Sequence, residues 1–278
     1  MVFDATDFMS MDANKLLLYI SHVSGGEVKT MIEHIKNKLK VNKDDVESYS
    51  KTVKDKYFTI VQEDYPTSFQ ECCIPPILLY YRGNLELIKE KRMCCTIVGS
   101  RDPSDYALNL TKKIAGDLAS AGITIVSGLA KGIDTAALEA AEPYGKAVAI
   151  IGNGLDSYYP SSNYDLQRRI EKSGLILTEY PNEIKPVAEH FPCRNRLLAA
   201  ISSATIIAQA RSRSGTMVTA GYASEMGREI GVFPFRAGDD SINNSFIRDG
   251  AAVVENAKDV LELMGVSYEW REKKEPEK

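Results

Sequence analysis

The chain has 278 residues, 44% of them hydrophobic, and a formal net charge of -4. That is enough apolar material for one large domain, or for one large and one small. The acidic balance excludes a protein that coats nucleic acid through overall charge, while leaving room for a local basic groove. The five cysteines, Cys72-Cys73, Cys94-Cys95 and Cys193, offer no CxxC or Cys/His spacing. Reduced thiols and no bound metal are the expectation. No apolar run is long enough to span a bilayer, and Met1–Asp4 lacks the features of a signal peptide. A cytoplasmic protein without membrane contact is expected.

Residues 1–58 read as a small helical N-terminal domain. Apolar periodicity predicts helices over 13–23 and 28–39, separated by Gly25-Gly26, and a third over 43–53 capped by Asn42. Lys36, Lys38, Lys40 and Lys43 read as its solvated face. Residues 59–92 follow as a linker and a lead-in strand, punctuated by Tyr65-Pro66 and Pro75-Pro76. From 93 to 266 the pattern becomes regular. Apolar strands are predicted at 94–98, 123–126, 147–151, 175–178, 204–208, 230–233 and 252–254. Helices lie between them over 106–121 and from near Ile133, Tyr164, Asn195 and Thr216. Near-continuous apolar strands alternating with helices imply an α/β fold, a Rossmann-like doubly wound and mostly parallel sheet. A charged tail, 267–278, closes the chain.

In such a sheet the loops after the strands share one edge, where ligands bind. Those loops are Gly99-Ser100-Arg101, then Ser127-Gly128 with Lys131-Gly132, and then Arg211-Ser212-Arg213-Ser214-Gly215-Thr216. Gly, Ser, Thr and basic residues at helix starts suit phosphate. None of them fits GxGxxG with a downstream acid or the Walker pattern, so no cofactor is expected. The segment Phe191-Pro192-Cys193-Arg194-Asn195-Arg196 adds an aromatic face beside two arginines, a combination that suits single-stranded nucleic acid. Pairing of those arginines with Glu179 or Glu225, and capping by Asn195, are the structural alternatives. Histidine occurs only at 22, 34 and 190, with no partners placed for acid–base or nucleophilic catalysis. Asp134 and Asp156 suit capping or turn roles. No catalytic residue is expected.

Together these loops carry a resemblance. The chain is similar to the DNA-processing protein A (DprA, also called Smf) family through Val98-Gly99-Ser100-Arg101, Ile125–Asp134, Gly152–Asn163, Thr178–Pro181, Phe191–Arg196, Ser214-Gly215-Thr216 and Gly250-Ala251. The resemblance covers residues 65 to 254. It implies a non-enzymatic protein on an extended Rossmann domain that binds single-stranded DNA, forms a homodimer and helps load the RecA recombinase during natural transformation. It also implies that Arg101 is a pocket arginine, that Phe191, Arg194 and Arg196 face the same groove, and that Lys185 stands for the family's lysine upstream of that motif. The sequence departs from the family pattern at Leu138, Gln209, Phe235 and Ile242, which bears on the far wall of the groove and the dimer surface.

Two other classes are compatible with the loops. One is a nucleotide-binding phosphoribohydrolase of the LOG-like type, for which Ser214-Gly215-Thr216 is a partial echo and Glu225 a distant candidate acid. The other is a nucleotide-sensing module.

Overall fold

A computed structural model describes residues 11–212 and 214–267. Its centre is a nine-stranded sheet. The strands are β1 (Lys56–Thr59), β2 (Leu78–Gly83), β3 (Cys94–Val98), β4 (Thr124–Ser127), β5 (Ala147–Ile150), β6 (Leu175–Thr178), β7 (Ala204–Ile207), β8 (Glu229–Val232) and β9 (Ala252–Val253). Their order across the sheet is β1-β2-β6-β5-β4-β3-β7-β8-β9. From β6 to β9 every pairing is parallel, while β1 and β2 add an antiparallel margin.

The helices are α1 (Ala13–Val23), α2 (Val28–Lys36), α3 (Lys43–Thr52), α4 (Thr67–Gln70), α5 (Asp105–Ser120), α6 (Ile133–Ala141), α7 (Tyr164–Ser173), α8 (His190–Ile201), α9 (Gly215–Glu225), α10 (Asn243–Arg248) and α11 (Ala257–Leu263). Side chains alternate across each strand. Cys95 and Ile97 of β3 therefore join one apolar layer with Ile114 and Leu118 of α5, whereas Cys94 and Val98 join the other with Leu197 and Leu198 of α8. Both faces are covered, as a parallel sheet requires. This is the doubly wound fold expected from the strand–helix alternation.

Three differences from the sequence reading matter for the site. The expected boundary at 58/59 falls inside β1, and the expected lead-in strand, β2, is built into the main sheet by pairing with β6. The apolar side of α1 and α2, including Leu18, Ile20 and Met31, is continuous with the layer beneath the sheet and does not close a separate core. The helix expected to begin near Asn195 begins at His190. Its Pro192 lies in the first turn, where the missing N–H costs no hydrogen bond. Of the charged tail, only its first residue falls within the described region.

The N-terminal helices are fixed against the sheet margin by close backbone approach and by charge. Gly26, at φ +77°, lies so near Glu179 and Tyr180 that a Cβ would meet the Glu179 carbonyl at 2.6 Å. The residue preceding β1, Asp55, accepts from Arg82 Nε and Nη2 at 2.5 and 2.8 Å and also receives the Asn182 amide. Burial pulls the Asp55 carboxyl upward, but Arg82 and Asn182 outweigh it and hold the group below its ordinary 3.8. A carboxyl lowered in the folded state stabilises the fold above its unfolded pKa, and that contribution is lost as pH falls through the folded value. The gap in urea midpoint between wild type and Asp55→Asn is therefore expected to be open near neutral pH and to narrow below 3.8. A gap that does not change with pH would contradict this pairing.

Candidate functional site

The sheet reverses its winding between β3, which leads by α5 to β4 on one side, and β7, which leads by α9 to β8 on the other. Loops that diverge in this way open a crevice beyond the carboxyl ends of the two strands. A cavity of about 650 Å³ lies there, lined by the turn after β3, the loop after β7 with the start of α9, one face of α8, and the segments around Tyr159 and Val187.

The turn after β3 is built to present Arg101. Ser100 N–H donates to the Gln209 carbonyl at 2.8 Å, the Ser100 carbonyl accepts from Ile133 N–H at 3.1 Å, and Ser100 Oγ accepts from Asp102 N–H at 3.1 Å. Ser100 is thus spent on shaping the turn. Gly99 packs directly on the Ile133 side chain. Gly132, at φ +76°, allows the neighbouring loop to close on this turn, because a Cβ there would sit 2.4 Å from the Ser100 carbonyl. Gly132→Ala is expected to destabilise the fold by about 1–3 kcal/mol, the usual cost of enforced backbone strain. A melting curve matching wild type would contradict this. Arg101 itself is exposed and has no ion-pair partner among the described residues.

Helix α8 supplies the second wall. Phe191, Arg194, Asn195 and Leu198 all line the cavity, and their spacing of i, i+3, i+4 and i+7 puts them on one helical face. Arg101 Cζ lies 5.8 Å from the Phe191 ring centroid and Arg194 Cζ lies 6.0 Å from it, within cation–π range. Tyr159, 42% exposed, faces the same ring with centroids 5.4 Å apart. Asn195 does not cap a helix. Its amide donates to the Gly215 carbonyl and its Oδ1 accepts from Arg194 Nε, which ties α8 to the start of α9. Ser214, Gly215 and Thr216 open α9 onto the cavity. Arg211 lines it as well, with Nε 2.6 Å from Asp240 Oδ2.

Several expected phosphate ligands are otherwise engaged. Ser127 is buried and donates to the Ile97 carbonyl at 2.6 Å. The Gly128 and Ala130 amides, which a phosphate would need, already donate to Asp134 Oδ2 at 3.0 and 3.3 Å. Asp134 thus takes the capping role read from the sequence and closes this loop to anions. Burial pushes its carboxyl up, against the opposing pull of Arg194. Arg194 is buried over it, donates to the Gly128 carbonyl at 2.8 Å and to the Ile150 carbonyl, and is pulled down by burial to about 10. Lys131 and Gly132 open on a different depression.

Arg196 is a further correction. It stands two residues from Arg194, about 200° around the helix, and is only 1% exposed. Its Nη1 and Nη2 clasp Glu179 Oε2 and Oε1 at 2.7 and 2.6 Å, and its Nε donates to the Ile74 carbonyl at 2.9 Å. Burial opposes its charge, yet the Glu179 carboxylate raises its pKa above the usual arginine value. Arg196 belongs to the core. Lys185 is exposed next to Pro186, Val187 and Ala188, which line the cavity, and so stands at the rim. Arg213 lies outside the described residues. Tyr159 is the residue sequence reasoning passed over, although an aromatic before Pro160 in a polar loop was a visible signal.

Chemically, the cavity offers two aromatic faces, the exposed cation of Arg101 and the open start of a helix. Among the described residues no group of three or more His, Cys, Asp or Glu is placed to hold a metal, and no helix is long and apolar enough to cross a membrane. His190 is occupied by the Gly152 carbonyl at 3.0 Å and by Glu27 at 2.9 Å. Glu225 is the last residue of α9, at the opposite end from the cavity.

A family model described as DNA recombination-mediator protein A matches residues 56–265. The chain belongs to that family. A relative, the DNA processing protein DprA of Streptococcus pneumoniae, is 39% identical over 207 residues, which is 73% of this chain and 72% of that one. The crystal structure of DNA processing protein A from Streptococcus pneumoniae superposes with a TM-score of 0.78 at 30% identity, covering 94% of this chain and 100% of that one. A Helicobacter pylori family member, described for its single-stranded DNA binding mode, has a TM-score of 0.69 at 33% identity and covers 75% of this chain and 95% of that one. Within the family frame, the four departures are accommodated locally. Leu138 is buried in α6, Gln209 accepts from Ser104 N–H at 2.8 Å, Phe235 packs edge-on against Tyr106, and Ile242 packs beside β7 and β8.

Proposed function

We propose that this chain binds single-stranded DNA in the switch-point cavity, without catalysing a reaction, and passes the strand to a RecA-type recombinase during DNA uptake. The observation that carries the reading is the Phe191–Tyr159 aromatic pair beside Arg101, which is exposed and has no ion-pair partner among the described residues. An unpaired base has two faces to stack, and each stacked base is worth about 1–3 kcal/mol irrespective of sequence. A base inside a duplex has both faces covered and cannot enter such a site. The arginine suits the adjacent phosphate. Lys185 at the rim and the Ser214–Thr216 helix start supply further places for the backbone.

The test is a fluorescence titration of labelled oligothymidylate at several salt concentrations, with duplex of the same length as competitor. Binding is expected to weaken with salt at a log–log slope of about -0.7 per phosphate contact, with little competition by duplex. Absence of binding, or equal competition by duplex, defeats the reading. Transfer to the recombinase is tested separately, by the rate of filament growth on a strand precoated with single-strand binding protein. A homodimer is part of the same reading and is tested by sedimentation.

A further inference from the structure

Lys131 was expected among the phosphate ligands, yet it opens on a second, smaller depression of about 250 Å³. We infer that this depression is a second subsite for the DNA backbone, held by Lys112 and Lys131, along which a strand continues after leaving the aromatic pair. The inference rests on the single-strand reading of the main cavity and adds the direction in which the strand leaves it.

The geometry points there because the two depressions share their walls. In the turn before α6, Ala130 lines the main cavity, while Lys131 and Gly132 line the second. In the segment before α7, Tyr159 lines the main cavity, while Ser162 and Asn163 line the second. A strand stacked on Tyr159 therefore needs to cross only one turn to reach the lysines. Lys112 comes from α5 and Lys131 from the turn, both are exposed, and neither has an ion-pair partner among the described residues. The other lysine of that stretch, Lys113, is engaged with Asp117 at 2.7 Å.

The floor beneath them is rigid. Thr135 Oγ1 donates to the Ala130 carbonyl at 2.7 Å, and Asn163 Nδ2 donates to Thr135 Oγ1 and the Leu129 carbonyl at 2.8 and 2.9 Å. These groups are used up in holding the turn, so the exposed ammonium groups of Lys112 and Lys131 are the charges that meet an entering phosphate. Glu139 is the one acidic residue lining the depression, so it opposes an entering phosphate.

The test compares oligothymidylates of about four and about sixteen nucleotides, a span of single-strand site sizes, on wild type, Lys112→Ala/Lys131→Ala, Glu139→Gln and Arg101→Ala. The double variant is expected to bind the long strand roughly tenfold more weakly, with a salt slope shallower by about 1.4 for two lost contacts. It should bind the short strand like wild type. Glu139→Gln should tighten the long strand alone. Unchanged long-strand binding by the double variant, while Arg101→Ala still weakens both lengths, overturns this inference and spares the main reading. An equal loss for both lengths overturns it as well, because the lysines would then act on the cavity itself. If wild type binds neither strand, both readings fall together.

Discussion

Arg196→Ala is expected to cost the fold about 3–5 kcal/mol, the scale for breaking a buried ion pair and leaving one charge without its partner. The stranded group is Glu179, itself buried, whose two oxygens both accept from Arg196. Glu179→Ala should be comparably damaging from the opposite side, since Arg196 would keep neutral acceptors, the Ile74 and Cys193 carbonyls and the Cys193 thiol, but lose its counter-charge. Replacing both with apolar residues of similar volume, Arg196→Met with Glu179→Leu, should recover a large part of the loss, because the desolvation of both charges is then avoided. Equilibrium urea unfolding of the four proteins checks this. An Arg196→Ala variant with wild-type stability and abolished oligonucleotide binding would falsify the assignment of this arginine to the core.

Arg101→Ala and Phe191→Ala are expected to do the reverse, leaving stability near wild type and removing binding. Among the described residues Arg101 makes no ion pair that its loss would strand, and the turn that carries it is held by Ser100 and Gln209 backbone bonds that alanine keeps. Loss of the arginine should weaken oligothymidylate binding by about 1.5–3 kcal/mol, the range for a charge-assisted hydrogen bond. The salt slope should become shallower by about 0.7 for one phosphate. Phe191→Ala should remove about 1–3 kcal/mol of stacking and leave the salt slope unchanged, because no charge is lost. Since the Arg101 guanidinium lies over the Phe191 ring, 5.8 Å from its centroid, the double variant should lose less than the sum of the two single losses. Strictly additive losses would show that the two side chains act at separate sites.

Much of the architecture was legible in the residues. Runs such as Cys94–Val98 and Leu175–Thr178 are apolar on both faces, and only a strand covered by helices on both sides accommodates that. The loops on the ligand edge followed from the alternation. What was not legible was which loop faces the cavity and which is closed from within. The Gly128 amides and the Ser100 turn look alike in sequence, but a carboxylate six residues further on, Asp134, occupies the first. Arg194 and Arg196 look like a basic pair until the helix is known to start at His190. With that start, the spacing alone puts one arginine in the cavity with Phe191 and the other in the core with Glu179. The short strand expected near Tyr57 and the lead-in strand expected near Ile77 both form, as β1 and β2, but their antiparallel pairing with each other and with β6 was not legible, because nothing in the sequence names a strand's partner.

The central claim is that a base stacks on the Phe191–Tyr159 pair with its phosphate on Arg101. The most direct measurement is a crystal structure of the protein with a short oligothymidylate. The account predicts a thymine in the cavity stacked on that aromatic pair, a phosphate within hydrogen-bond distance of the Arg101 guanidinium, and Arg196 still clasped to Glu179. An oligonucleotide bound elsewhere, with Phe191 and Arg101 untouched, would contradict it.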